Sequence, residues 1–303
     1  MSGVLCYGSL IADRVLRLPH FPRPGEGVHA LSETLYLGGE PSNVGGQLAA
    51  WGVPVTIAGN NLGCDALGAF IRAQLERRAN ITLLARDDPA VQTPTCYIWT
   101  TPDGERTIVP SWPTPTGYTL PHARLLAEAA LVSASVYGPG MAEMLALARQ
   151  LGRPTAVADI AGPDDPRLPG AALVTASGSV LYQRHGVSAI EPWMRAVHAT
   201  SGALVVVSDG AQPLLALSSA GWRRVQPPTI EPVDTTGAGD ALKAGLILGW
   251  LRQWPLDQTL AWAVSAASLQ CLRHGPCAEP TAETEVAQML PAVAVTAPAD
   301  GEI

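Results

Sequence analysis

A short stretch in the last third of the chain, DTTGAGDALKAG (234–245), places two carboxylates around a glycine turn that leads into an apolar run. Backbone amides at the start of a helix bind anions, and glycines let a ligand approach them closely. Asp240 stands where the helix would begin. Its carboxylate either caps the helix or accepts a proton from a hydroxyl that attacks a bound phosphoryl group.

The chain lacks the other familiar phosphate loops. It contains no GxxxxGK[ST] segment, and its one lysine, Lys243, follows the turn. The turn also does not have the GxGxxG order of a dinucleotide site, and it comes late in the chain. If the turn binds a phosphoryl group, it therefore does so through backbone amides, with Asp240 as the base.

Composition excludes several other classes of protein. The 303 residues are 47% hydrophobic and 15% charged, which is enough for a large core. The net charge of −7 argues against a nucleic-acid partner, and no apolar run approaches the length of a membrane span. The first residues lack a basic, cleavable leader, so we expect a cytoplasmic protein. Five scattered cysteines lack the spacing of a zinc site or a disulfide framework.

Short apolar runs alternate with helical segments over much of the chain. This rhythm predicts βαβ units, with a mainly parallel sheet between two layers of helices in a single domain over 1–303. Two regions, within about 13–38 and 92–112, instead indicate exposed strands of a small extra sheet, a candidate lid. The segment 292–303 is predicted to be a flexible tail.

Three stretches together resemble the ribokinase-like (PfkB) carbohydrate kinases. Besides DTTGAGD, they are YGSLIADRV (7–15) and GGEPSNVGGQLAAWG (38–52), the latter followed by AGNNLGCDALGAF (58–70). The order and spacing match from residue 7 to about 280. The resemblance implies a ribokinase-like αβα domain with a β lid. It also implies ATP-dependent phosphorylation of a hydroxymethyl group on a small sugar.

The resemblance also assigns roles to individual residues. It makes Asp240 the base and gives the anion hole to Gly237, Ala238 and Gly239. It implies that Asp13, Gly39 and Asn43 bind the sugar hydroxyls. It also implies that the nucleotide site is lined by Ser208, Gly210, Thr235, Gly237, Gly239 and Gly275. The candidate ligands for a monovalent cation such as K⁺ are Asp234 and Thr236.

The lid segment TPTCYIWTTPDGERTIV (93–109) is similar to that of ketohexokinase and the bacterial sulfofructose kinases, which favours a ketose-type acceptor. In that group an arginine after the turn reaches the acceptor. Here it would be Arg106, whose guanidinium can grip a polyhydroxyl or offset phosphate charge. The alternative is an ordinary solvated charge on a hairpin. The lid of the family also often pairs across a homodimer.

Some residues depart from the family pattern. An Asn-x-x-Glu motif that organises magnesium is replaced at Ser177 and Val180, so Mg²⁺ is expected to be held by the nucleotide and water. Glu40, after Gly39, either faces the sugar, where its charge disfavours an anionic acceptor, or faces solvent. Lys243 is expected to be solvated or snorkelling, with contact to a phosphate as the alternative.

Two other functions stay open at this point. A nucleoside could be the acceptor, because nucleoside kinases share this scaffold and these motifs. A protein that binds a sugar or nucleotide without turnover is favoured by the loss of Asn-x-x-Glu and opposed by the intact turn at Asp240.

Overall fold

The computed structural model describes residues 3–102, 106–187 and 189–298. Its strands, in chain order, are β1 (Val4–Gly8), β2 (Ile11–Arg17), β3 (Ser32–Gly38), β4 (Val55–Gly59), β5 (Leu62–Gly63), β6 (Ile81–Leu83), β7 (Asp87–Asp88), β8 (Thr95–Thr100), β9 (Arg106–Ser111), β10 (Leu131–Ala134), β11 (Thr155–Ala158), β12 (Ala171–Ser177), β13 (Leu204–Asp209), β14 (Gln212–Ser218), β15 (Gly221–Gln226) and β16 (Ala294–Thr296). Its helices are α1 (Glu40–Ala50), α2 (Ala66–Glu76), α3 (Ala123–Glu128), α4 (Met141–Gln150), α5 (Gly178–His185), α6 (Ile190–Ser201), α7 (Ala238–Leu251), α8 (Leu256–Cys271) and α9 (Glu283–Met289), followed by a 3₁₀ turn at Leu290–Ala292.

A ten-stranded sheet forms the middle layer, in the order β16-β15-β14-β13-β12-β11-β10-β1-β4-β6. From β6 to β13 the neighbours are parallel, and from β13 to β16 they are antiparallel. The predicted mainly parallel sheet is confirmed. Its central strands are apolar throughout because helices cover both faces: all five residues of β1 are buried.

The two helical layers divide the core. Val4 and Cys6 of β1 pack with α1, α7 and α8 on one face. Leu5 and Tyr7 of the same strand pack with α3 and α4 on the other. This alternation is the period-2 geometry of a strand between two layers. The structure is therefore a three-layer αβα fold, as predicted.

A separate four-stranded sheet, in the order β3-β2-β8-β9, contains both predicted hairpin regions. The β2–β8 pair is parallel and the other two pairs are antiparallel. Paired residues in neighbouring strands project from the same face. One face, which we call the inner face, therefore carries Asp13, Tyr36, Cys96, Ile98 and Arg106. The tip of the β8–β9 turn, 103–105, lies outside the described residues.

The predicted flexible tail is wrong at residues 294–296. These residues form β16, and Val295 lies opposite Val225 of β15 in an antiparallel pair. The run AVAVT alternates small and β-branched residues, which suits an edge strand that extends an unpaired sheet edge. Residues 299–303 lie outside the described part of the chain.

The helices α7 and α8 pack closely in the core. Residues 241–249 of α7 are all buried, so this helix is apolar nearly all round rather than on one stripe. A Cβ atom on Gly245 would lie 2.6 Å from the Cα of Ala263 in α8. The close approach of the two helices therefore requires a residue without a side chain.

We predict that Gly245→Ala destabilises the protein by about 1–2 kcal/mol, even though alanine is the better helix former. Urea unfolding measures this change. Gly239→Ala, on the same helix, is the matched control because a Cβ atom there meets no atom within 4 Å. If Gly245→Ala were as stable as the control, the close helix contact would not limit this position.

Candidate active site

Asp240 and Asn43 come together where two helices begin. Asp240 lies in the first turn of α7 and Asn43 in the first turn of α1. Asn43 Nδ2 donates to Asp240 Oδ2 at 2.7 Å, across 197 residues of sequence. The amide group fixes one carboxylate oxygen. The other is left for a second partner.

The glycine turn before α7 exposes backbone donors. Gly237 is the N-cap residue of α7 and has a φ of 80°, a conformation that favours glycine. The amide of Ala238 donates to the carbonyl of Thr235 at 3.3 Å, so this amide is engaged within the turn. Among the described residues, no acceptor lies against the amides of Gly237 and Gly239. These two unpaired donors at a helix start are available to an anion, and their role as an anion site stays a prediction.

The loop that follows α8 is hydrogen-bonded to the glycine turn through Asp234 and Gln270. The carboxylate of Asp234 accepts from the amides of Thr236 at 2.8 Å and Gly275 at 2.9 Å. The side chain of Gln270 donates to the carbonyls of the same two residues, at 3.1 and 2.8 Å. Gln270 was not singled out in the sequence, and a glutamine in a mostly apolar helix carries little signal. The role of Asp234 and Thr236 toward a monovalent cation stays a prediction.

The small sheet reaches this site with its inner face. Arg106 Nη1 donates to Thr235 Oγ1 at 2.7 Å, so the hairpin arginine lies on the glycine turn rather than free in solvent. Gly275 has a φ of 79°, and a Cβ atom there would lie 2.5 Å from the ring of Tyr36. The sheet therefore contacts both loops that surround the anion site.

Asp13 is the third inner-face residue at the site. It is only 7% exposed, and none of the described residues donates a hydrogen bond to its carboxylate. Burial raises the pKa of Asp13 to about 7. Gly38 makes room for it, since a Cβ atom there would lie 2.2 Å from the Asp13 carboxyl carbon. Asp13 is thus a buried acceptor without a donor, which suits a ligand that carries hydroxyl groups.

Gly39 sets the path of the chain from β3 into α1. Its φ is 88°, and a Cβ atom there would lie 2.0 Å from the carbonyl oxygen of Ser9. Only glycine fits this position. The turn it allows directs the first turn of α1, with Asn43, toward Asp240.

The surroundings of Asp240 favour its protonated form. Burial is the largest cause and the negative charge of Glu40 is the next, while the Asn43 hydrogen bond and the positive charge of Lys243 act in the opposite direction. The pKa of Asp240 is thereby raised to about 7. A carboxylate that titrates near neutrality is suited to general base catalysis.

Glu40 and Lys243 do not lie where the sequence predicts, because they are buried and paired with each other. Lys243 is 1% exposed, and its Nζ donates to Glu40 Oε1 at 2.6 Å and to the Ala134 carbonyl at 2.9 Å. Glu40 Oε2 accepts from the amide of Val136 at 2.9 Å. The expectations of a solvated Lys243 and of a Glu40 facing sugar or solvent are wrong. The signal in the sequence was a lone lysine inside an apolar helix.

The structure does not join Ser208 and Gly210 to this cluster by any described contact. Ser208 lies near the carboxyl end of β13, opposite Ser177 of β12. Gly210, with a φ of 57°, turns the chain toward β14. Both lie at the edge where the parallel strands end, which is where ligands bind in such sheets. Their role in the nucleotide site stays a prediction.

Among the described residues, no group of three or more His, Cys, Asp or Glu side chains could hold a metal ion. Over the same residues, no helix has the length and apolar character needed to cross a membrane.

A family model covers nearly the whole chain. Residues 1–283 match the pfkB family carbohydrate kinase model. The chain belongs to this family.

Local matches to curated members of the family are short. The chain is 39% identical over 65 residues to 1-phosphofructokinase of Escherichia coli K12, covering 22% of this chain and 21% of that protein. It is 32% identical over 82 residues to fructoselysine 6-kinase of the same strain, covering 27% of this chain and 31% of that protein. These matches span about a fifth to a third of the relatives' lengths.

Solved structures share the whole fold at low identity. Ribokinase of Arabidopsis thaliana, complexed with ribose and ATP, aligns with a TM-score of 0.79 and 20% identity, covering 95% of this chain and 98% of that one. A putative ribokinase II of E. coli, in complex with ATP and Mg²⁺, gives a TM-score of 0.80 and 16% identity, covering 96% and 99%. The fold is therefore ribokinase-like.

We predict that Asp13→Asn stabilises the protein by about 1–3 kcal/mol at pH 8 and changes its stability little at pH 4. Because burial raises the pKa of Asp13 to about 7, the folded chain binds a proton that the unfolded chain releases. The stability from this proton is present below about pH 4 and is lost as the pH rises through about 7.

Thermal and urea unfolding at the two pH values test this prediction, with the exposed Asp164→Asn as control. A stabilisation by Asp13→Asn that is the same at pH 4 and pH 8 would contradict it.

Proposed function

We propose that this protein transfers the γ-phosphoryl group of ATP to a hydroxymethyl group of a small, uncharged sugar, with a ketose favoured. The observation that carries the proposal is the carboxylate of Asp240, held by Asn43 directly beside the free amides of the glycine turn. A base next to an anion site is the arrangement that phosphoryl transfer requires.

The residues of the site have separate roles in phosphoryl transfer. Asp240 accepts the proton of the attacking hydroxyl, and Asn43 keeps its carboxylate in place. The amides of Gly237 and Gly239 face the transferred group and stabilise the charge on it. Arg106, on Thr235, adds positive charge at the same turn. When bound with the nucleotide, Mg²⁺ would supply further neutralisation of phosphate charge.

The acceptor side of the site favours a neutral polyol. The Asp13 carboxylate has no donor among the described residues, so hydroxyl groups of an acceptor complete its hydrogen bonds. The nearby cation Lys243 is neutralised by Glu40 and cannot bind an acceptor phosphate. An acceptor that carried its own phosphate would be repelled by the carboxylates of Asp13 and Asp240.

The inner face of the small sheet would act as a lid. Its contacts to the glycine turn through Arg106, and to the 271–277 loop through Tyr36, support this role. A lid excludes water, which suppresses hydrolysis of ATP.

We predict that ADP release from ATP·Mg²⁺ depends on a neutral sugar, tested with a panel of ketoses, aldoses, sugar acids, sugar phosphates and nucleosides. Asp240→Asn is expected to lower kcat by about 10³-fold or more, because it removes the base and keeps the shape. Asp164→Asn, the same chemical change at an exposed position outside the site, serves as the control.

Response to a nucleoside alone would favour the nucleoside kinase alternative. A protein that binds ATP or sugar, shown by a raised melting temperature, without turnover would favour the non-catalytic alternative. The replacement of Asn-x-x-Glu at Ser177 and Val180 is the feature that keeps the second alternative under test.

We further infer that two copies pair through the outer face of the small sheet, which is the face opposite the inner face and carries Tyr97 and Val109. Tyr97 and Val109, paired across β8 and β9 on this face, are 39% and 44% exposed. Large apolar groups side by side on an exposed sheet favour self-association.

We predict a dimer in sedimentation velocity that Tyr97→Glu converts to a monomer, because the charge would be buried in the interface. Tyr182→Glu, at an equally exposed tyrosine on α5, should stay dimeric. A monomeric wild-type protein would contradict the inference.

A further inference from the structure

Two side-chain bridges join the first turns of α1 and α7. Glu40 and Asn43 lie three residues apart on α1, and Asp240 and Lys243 lie three apart on α7. Residues with this spacing share one helix face. One bridge is the Asn43–Asp240 hydrogen bond, and the other is the Glu40–Lys243 ion pair. The second bridge lies one helical turn from the first on both helices.

The ion pair is also hydrogen-bonded to the backbone at the end of β10 in the large sheet. Lys243 donates to the carbonyl of Ala134, the last residue of β10, and Glu40 accepts from the amide of Val136 just beyond it. The pair therefore links three elements: α1, α7 and the carboxyl end of β10. Its side chains are 2% exposed for Lys243 and 16% for Glu40.

We propose that the Glu40–Lys243 pair is a positioning device for Asp240: it locks the two first turns together and balances the charge around the base. The proposal rests on the proposed function, in which Asp240 accepts a proton. A purely apolar contact could hold the helices, but it would not set the charge. The pair places one negative and one positive group beside the same carboxylate.

Other groups also face Asp240. Asp13 approaches it from β2, Glu40 and Asn43 from α1, Lys243 from α7 and Cys277 from the loop after α8. Two further groups face the ion pair: Cys6 of β1 and Asp159 after β11. Glu40 and Lys243 form an ion pair, and neutralising either one changes the electric field at Asp240 in a known direction.

The two members of the pair act on Asp240 in opposite directions. The negative charge of Glu40 raises the pKa of Asp240, and the positive charge of Lys243 lowers it. Glu40→Gln should therefore move the pKa of Asp240 down by about one pH unit, and Lys243→Met should move it up. The double variant should fall between the two single variants. A contact that served only stability would not produce shifts of opposite sign.

The experiment is a ¹³C NMR titration of the full-length protein with labelled aspartate carboxyls, where Asp240→Asn identifies the signal. This readout does not depend on turnover. Glu283→Gln is the matched control, because Glu283 forms an ion pair with Arg252 at the far end of α7, about 18 Å along the helix from Asp240. The control should lower stability and leave the Asp240 titration unchanged.

Opposite shifts with an intermediate double variant support the proposal. An unchanged or raised pKa in Glu40→Gln, or shifts of the same sign in both single variants, overturns it. Glu40→Gln keeps the shape of the residue, so a poorly folded Lys243→Met leaves the decisive comparison intact.

The pH profile of kcat/KM gives a second readout. Its acid limb should move to lower pH in Glu40→Gln, with kcat reduced several-fold and KM changed less, since the polar atoms of the pair are engaged with each other and with the backbone at Ala134 and Val136. NMR shifts without any turnover would reject the proposed function and keep the positioning role. Turnover with an unchanged Asp240 pKa in the single variants would reject the positioning role and keep the proposed function.

Discussion

The structure depends on bringing the first turns of two distant helices to one point. The hydrogen bond from Asn43 to Asp240 spans 197 residues, and it exists only because α1 and α7 begin at the same edge of the large sheet. Each helix start is set by a glycine with a positive φ, Gly39 for α1 and Gly237 for α7. The rest of the site, the free amides and the buried carboxylates, lies around this junction.

Burial at this junction has a chemical consequence. Two carboxylates, Asp13 and Asp240, are held in a site where burial raises the pKa of each to about 7. Such burial costs stability, and proteins keep it where function needs it. The Glu40–Lys243 pair adds opposite charges beside the base, and the fit of α7 against α8 at Gly245 holds the helix that carries it.

Much of this could be predicted from the sequence. Apolar runs gave the parallel sheet, hairpin patterns gave the small sheet, and the glycine turn pointed to Asp240, because these signals are local. The Glu40–Lys243 pair could not be predicted, since it depends on the packing of two helices 203 residues apart. The strand at 294–296 was missed because a run of three strand residues is too short to be recognised without its pairing to the neighbouring β15. Gln270 and Tyr36 were missed because each contacts the backbone of a loop that is distant in sequence, and such contacts leave no local pattern.

The most direct test of the account separates chemistry from binding at Asp240. Single-turnover rapid quench would measure the phosphoryl transfer step with saturating acceptor in wild type and Asp240→Asn, and calorimetry would measure the affinities for ATP and acceptor. With Asp240 as the base, the transfer step in the variant should be slower by about 10³-fold or more, with affinities nearly unchanged. An equally fast step in the variant, or a loss confined to binding, would contradict the claim that Asp240 is the base.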